Sequence, residues 1–82
     1  MDIYPQAQLS LEVREKPELG SLSGVMRVIR DVEKKLGDDG RVLVRYSGTE
    51  PKVRVLVEGP EKKVIEGYAE GIAAELKKAI GA

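Results

Sequence analysis

Ten residues, Arg45-Tyr46-Ser47-Gly48-Thr49-Glu50-Pro51-Lys52-Val53-Arg54, sit between two short apolar runs, Val42-Leu43-Val44 and Val53 to Val57. No other feature constrains this chain as strongly. Both flanks read as β-strands, so the spacing predicts the end of one strand, a tight polar loop and the start of the next. Two arginines bracket the loop. Within it lie two hydroxyls, a glycine that permits unusual backbone angles, and a proline that ends the run of N–H donors. That inventory suits a phosphate or a similar oxyanion, and the rest of the chain reads as a scaffold for it.

The scaffold follows from periodicity. Gln6 to Lys16 alternates, with Leu9, Leu11 and Val13 pointing one way and Gln8, Ser10, Glu12 and Arg14 the other. A period of two predicts a half-buried strand that Pro17 ends. Gly20 to Gly24 carries turn signals, with Ser21 and Ser23 as candidate N-caps. Leu22, Val25, Val28, Ile29, Val32 and Leu36 then recur at helical spacing up to Gly37, a well-placed stop. Asp38-Asp39-Gly40 predicts a turn into a second strand, Arg41 to Tyr46, and the loop leads to a third, Val53 to Glu58.

Gly59-Pro60 breaks the sheet, and Pro60 is expected at the first position of a second helix, with Glu61 beside it. On that helix Val64, Ile65, Tyr68, Ala69, Ile72, Leu76 and Ile80 form the expected buried stripe. Gly67 and Gly71, each costing about 1 kcal/mol relative to alanine, point to close packing against the sheet. The order is β-α-β-β-α. Its natural solution is an α+β fold, two helices packed on one face of a small, mostly antiparallel sheet. Residues 1–82 read as a single domain, with Met1 to Pro5 as the remainder of an interdomain linker.

Composition removes several classes of function. The 82 residues carry 14 basic and 14 acidic side chains, a formal net charge of zero. This argues against wholesale binding to nucleic acid or an acidic membrane, which needs a basic excess. With no cysteine there is neither a disulfide nor a thiolate metal site. With no histidine there is no Ser-His pair, no imidazole ligand and no side chain that ordinarily titrates near neutrality. No apolar stretch approaches the roughly 18 residues of a membrane span, and no export signal opens the chain. A cytoplasmic protein is the simplest expectation.

The chemistry therefore concentrates in the loop. From Arg41 to Arg54 there are four cations (Arg41, Arg45, Lys52, Arg54) and one anion (Glu50), a local excess within a neutral chain. Arg45 and Arg54 can each offer a planar fork to two oxygens, Ser47 and Thr49 add hydroxyls, and N–H groups turned around Gly48 can form an anion nest. The plainer reading stays open on these residues alone. Ser, Gly, Thr and Pro are everyday turn residues, and the arginines can line an exposed sheet face, paired with Glu50 or Glu58. Two arrangements would defeat the anion site: arginines splayed to opposite faces, and tip N–H groups consumed internally. Asp38-Asp39 reads as a solvated turn rather than a metal site, since adjacent carboxylates project apart and no third ligand is near.

The stretch Gly40 to Gly59 resembles the last domain of the α-D-phosphohexomutases. The resemblance rests on Arg-x-Ser-Gly-Thr-Glu-Pro at Arg45 to Pro51, followed by Arg54-Val55 and a strand ending in Glu58. Tyr4-Pro5-Gln6 and the helix before Gly40-Arg41 also look like that family, so the likeness covers essentially the whole chain. Members acting on mannose or glucose phosphates often carry Asn where this chain has Gly48, so the Ser-Gly-Thr-Glu-Pro form favours the glucosamine-phosphate branch. The resemblance implies a TBP-like fold and a place as the fourth of four domains.

It further implies the loop's role. The parent would move a phosphoryl group between the 6- and 1-hydroxyls of a hexose, through a bisphosphorylated sugar. This domain would hold the non-reacting phosphate of the phosphosugar substrate. Carried over by motif, Arg45, Ser47, Gly48, Thr49 and Arg54 become phosphate contacts, with Glu50 and Lys52 as further candidates. The family's histidine-containing phosphoserine loop, its magnesium-binding aspartates and its sugar-reading loop have no counterpart here. The implied partners are thus the other three domains, and the implied magnesium and bisphosphorylated sugar belong to the full enzyme. Two other classes remain: a free-standing ligand-sensing or association module, and a small sheet-based RNA binder. The latter is disfavoured because its strands would hold no aromatic but Tyr46.

Overall fold

The computed structural model describes residues 4–81; Met1 to Ile3, assigned to the linker, lie outside them. The chain runs β1 (Gln6–Glu12), α1 (Ser23–Leu36), β2 (Arg41–Tyr46), β3 (Lys52–Glu58) and α2 (Lys62–Ile80). The sheet order is β1-β3-β2, antiparallel throughout. Two helices pack on one face of this sheet, the α+β arrangement expected. The central strand explains the division of faces. Val53, Val55 and Val57 are 0% exposed and look towards the helices, while Arg54 and Leu56 between them look outwards. Opposite these valines, Ile65, Ala69, Ile72, Leu76 and Ile80 of α2 and Val25, Ile29, Val32 and Leu36 of α1 complete the core. Each fully buried isoleucine or leucine is worth about 1.5–3 kcal/mol.

Several boundaries differ from the sequence reading, each for a local reason. β1 ends at Glu12 rather than Lys16, because Val13 leaves the ladder to bridge Gly81 and donate its N–H to the Pro51 carbonyl. Neither serine caps α1: Leu22 occupies the N-cap position, and the Ser21 hydroxyl donates backwards to the Glu18 carbonyl. Gly37 does end α1, at φ 59°, the left-handed region that a side chain would oppose. Glu61, in extended conformation, is the N-cap residue of α2, so Pro60 lies before the helix rather than at its first position.

On α2 two further expectations fail. Val64 is 40% exposed and does not belong to the buried stripe, whereas Tyr68, half-buried, does pack against the core, with the Lys35 ammonium 5.8 Å from its ring centroid. Gly67 and Gly71 face solvent, with nothing within 4 Å of where a Cβ would stand. The close approaches are made elsewhere. A Cβ on Gly59 would lie 2.6 Å from Ile65 Cγ2, and one on Gly40 would lie 2.1 Å from the Glu58 carbonyl oxygen. These two glycines let β2, β3 and both helices converge at the end of the sheet opposite the loop.

Candidate functional site: an unpaired arginine couple at the β2–β3 loop

The register of β2 on β3 decides how the loop is presented. Arg45 is the direct cross-strand partner of Arg54, and Leu43 of Leu56. Val44 and Val55, one residue along, are partners on the helix side. Both arginines therefore stand on the same, open face of the sheet, and both are exposed. The splayed arrangement that would have defeated an anion site does not occur. Gln8, Leu43, Arg45, Arg54 and Leu56 line a shallow cavity of about 210 Å³ on this face.

The remaining charges of the region are already matched. Arg41 Nε lies 2.6 Å from Glu58 Oε1, and Lys52 Nζ lies 3.3 Å from Glu50 Oε2. These pairs consume both carboxylates to which the plainer reading assigned the arginines. Among the described residues, Arg45 and Arg54 have no acidic partner within salt-bridge distance. Like charges directly opposite one another weaken a sheet. An anion between them would relieve that repulsion and take both guanidinium forks.

The tip supplies neutral donors. The Ser47 N–H donates to the Lys52 carbonyl at 2.8 Å, closing the hairpin, and the Lys52 N–H donates to the Glu50 carbonyl at 2.8 Å. The Glu50 N–H reaches Ser47 Oγ at 3.3 Å, leaving the hydroxyl proton of Ser47 free to point elsewhere. Gly48 and Thr49 N–H groups have no acceptor among the described residues. The loop is bent without a left-handed residue: Gly48 does not have positive φ, so the glycine-centred nest anticipated from the sequence is not formed. Glycine there instead leaves open space, with nothing within 4 Å of a would-be Cβ. Thr49, Glu50 and Pro51 are exposed and Ser47 is half-buried.

Sequence reasoning placed Arg45, Ser47, Gly48, Thr49 and Arg54 at one site, and the structure brings them to one end of the sheet. It sets Glu50 and Lys52 apart as a mutual pair. What the reading missed lies behind the loop. Lys16 Nζ donates to the Ser47 carbonyl at 2.6 Å, and the Tyr46 hydroxyl donates to the Pro17 carbonyl at 2.5 Å. Burial first, and Glu15 second, push the Tyr46 phenol above its ordinary pKa, so it stays a donor to more alkaline pH than a free phenol does. No local signal marks these contacts, since they depend on the β1–α1 connection crossing under the loop.

With this geometry in place, comparison with known proteins is decisive. Residues 9–75 match the family described as phosphoglucomutase/phosphomannomutase, C-terminal domain. The chain belongs to that family. Its relatives include phosphoglucosamine mutase of Anaeromyxobacter dehalogenans, 59% identical over 78 residues, covering 95% of this chain and 17% of that protein. The phosphoglucosamine mutase of Myxococcus xanthus is 53% identical over 76 residues (93% of this chain, 17% of the relative). That of Syntrophobacter fumaroxidans is 47% identical over 81 residues (99% and 18%). This phosphohexomutase C-terminal domain thus spans under a fifth of the length of the relatives it matches. None of its helices, among the described residues, is long and apolar enough to cross a membrane.

Proposed function

We propose that this domain holds the non-reacting phosphate of a phosphosugar for a phosphohexomutase that interconverts hexose 6- and 1-phosphates, with glucosamine phosphate as the sugar. The names of its relatives and the Ser47-Gly48-Thr49-Glu50-Pro51 form of the loop support the glucosamine assignment. One observation carries the role of the loop: Arg45 and Arg54 face each other on the open side of the sheet with no carboxylate between them. Arg45 and Arg54 grip the phosphate oxygens, Ser47 and Thr49 add hydroxyls, and the Gly48 and Thr49 N–H groups complete the set. The domain makes and breaks no bond. Its binding energy orients the sugar for chemistry performed elsewhere in the enzyme.

The magnesium that the family implies does not fit this chain. Among the described residues no three His, Cys, Asp or Glu side chains gather into a possible cation site, and Asp38 and Asp39 are exposed neighbours in a turn. No step through the metal is assigned to this domain. The metal and the phosphoserine belong to the other three domains of the parent, the bisphosphorylated sugar to the full enzyme, and a cytoplasmic location goes with the same reading. The open face argues against the RNA-binding alternative: Tyr46 packs on the helix side, leaving no aromatic residue outward on the strands for base stacking. Titration with inorganic phosphate followed by NMR tests the proposal. The amides of Ser47 to Glu50 shift, and Arg45→Ala abolishes the response while the other resonances stay in place. Shifts centred elsewhere, or an unchanged response in the variant, overturn it.

A further inference from the structure

The loop's tip is fastened from behind by residues that touch no ligand in the reading above. The β1–α1 connection meets it at three points. Val13 N–H donates to the Pro51 carbonyl at 2.8 Å, Lys16 Nζ to the Ser47 carbonyl at 2.6 Å, and the Pro17 carbonyl accepts from the Tyr46 hydroxyl at 2.5 Å. Consecutive residues on one side, Lys16 and Pro17, thus meet consecutive residues on the other, Ser47 and Tyr46. We propose that Lys16 and Tyr46 are positioning residues of the anion loop, fixing and polarising the Ser47–Gly48 peptide so that the Gly48 N–H is aimed at the phosphate. This rests on the phosphate-holding role proposed above.

The mechanism follows from peptide geometry. The Ser47 C=O and the Gly48 N–H belong to one planar unit, and the bond is trans, so the two dipoles point in opposite directions. Drawing the carbonyl towards the Lys16 ammonium turns the N–H away from the connection, where it meets no acceptor within the described residues. A charged donor on the carbonyl also polarises the amide and strengthens its N–H as a donor. Gly48 needs such control, because it has no side chain to anchor it and nothing lies within 4 Å of where a Cβ would stand. Tyr46 supplies the second rung. Its ring is packed against the core, and its hydroxyl fixes the Pro17 carbonyl beside Lys16, so the ammonium's stem starts from a defined place. An anion site held ready in this way does not have to order its tip upon binding.

The test uses the whole chain, inorganic phosphate as probe, and Lys16→Met and Tyr46→Phe as variants. Each variant binds phosphate more weakly by roughly 3- to 10-fold, the worth of one hydrogen bond's positioning, and the free Gly48 amide moves in its NMR spectrum. Tyr46→Phe changes no charge, and the deficit of Lys16→Met persists at high ionic strength, where a remote charge effect is screened. Lys16→Arg restores affinity. Lys16 is exposed, so its variants fold. Phosphate affinity in Tyr46→Phe and Lys16→Met equal to the parent's overturns the proposal, as does a Lys16→Met deficit that vanishes in salt. Arg45→Ala separates the two readings. If that variant loses phosphate while the two positioning variants do not, only this inference falls; if Arg45→Ala itself binds normally, the anion site falls first.

Discussion

The two ends of the β2–β3 pair share strands, face and solvent, yet they treat their arginines in opposite ways. At the far end Arg41 is the cross-strand partner of Glu58 and is neutralised by it. Four residues along the same strand, Arg45 faces Arg54 and neither is neutralised. The ends also differ in density. Gly40 and Gly59 admit no Cβ, whereas Gly48 stands in open space. One end is therefore built as a closed joint between strands and helices, the other as an exposed and deliberately unbalanced site. Total charge conceals this contrast, because the whole chain sums to zero. Only the cross-strand register discloses it.

The largest effects fall on the glycines. Gly40→Ala forces a Cβ to within 2.1 Å of a backbone oxygen, and Gly59→Ala to within 2.6 Å of Ile65 Cγ2. Each should lose about 1–3 kcal/mol in urea denaturation, the usual cost of forcing atoms into a filled space. Gly48→Ala, with no neighbour to meet, should change stability by less than about 0.5 kcal/mol. A comparable loss at Gly48 would break the contrast between a closed end and an open one.

The arginines come next, and here the sign differs between the ends. In the absence of phosphate, Arg45→Ala or Arg54→Ala should raise stability by about 0.2–1 kcal/mol, because a like-charged cross-strand pair is relieved. Arg41→Ala should lower it by up to about 1 kcal/mol, because Glu58 loses its partner. Phosphate should raise the Tm of the parent chain, with the logarithm of its concentration once that exceeds the dissociation constant, and leave the Arg45→Ala variant unmoved. Thermal melts with and without phosphate read both effects. Loss of stability at Arg45 equal to that at Arg41 would show that the loop arginine serves the fold.

How far the sequence disclosed all this depends on the range of the interaction involved. β2, β3 and the buried positions Ile65, Ala69, Ile72, Leu76 and Ile80 were legible because alternation and helical spacing are local records of one-sided burial. The loop residues were legible because charge and turn chemistry lie within ten consecutive positions. Val64 misled because an aliphatic residue next to a buried stripe carries no mark of its exposure. Gly67 and Gly71 misled because glycine on a helix records either contact or mere tolerance. Pro60 and the two serines misled because cap geometry depends on how the preceding segment enters. The pairing of Arg45 with Arg54 and the Lys16–Ser47 contact were invisible, since each is fixed by where distant segments come to rest.

A smaller effect at the loop end concerns α1, whose first turn has no side-chain cap and no acidic residue of its own. Glu75 of α2 leans over that turn, its Oε1 3.1 Å from the place of a Cβ on Gly24. A carboxylate there offsets the positive end of the helix dipole and should contribute about 0.3–1 kcal/mol. Glu75→Gln should lower the unfolding free energy by that amount, read as a lower urea midpoint, without altering phosphate binding. An unchanged midpoint would mean that the turn relies on solvent alone.

The smallest expected effect distinguishes the two ends by pH. Tyr46 has its pKa raised, mainly by burial, so the folded chain holds its phenolic proton to higher pH than the unfolded chain does. Its contribution to stability is then complete below the ordinary phenol pKa and is lost as pH rises through the raised one, since the unfolded state binds fewer protons in between. Once ionised, the phenolate can no longer donate to the Pro17 carbonyl, and the back of the loop loses a rung. Stability should therefore decline on the alkaline side more steeply in the parent chain than in Tyr46→Phe, with hydrogen exchange at Ser47, whose N–H closes the hairpin on the Lys52 carbonyl, rising before exchange at Val57. Parallel declines in the two chains, or simultaneous release of both ends of the sheet, would show that the Tyr46 contact does not govern the loop separately from the joint at Gly40 and Gly59.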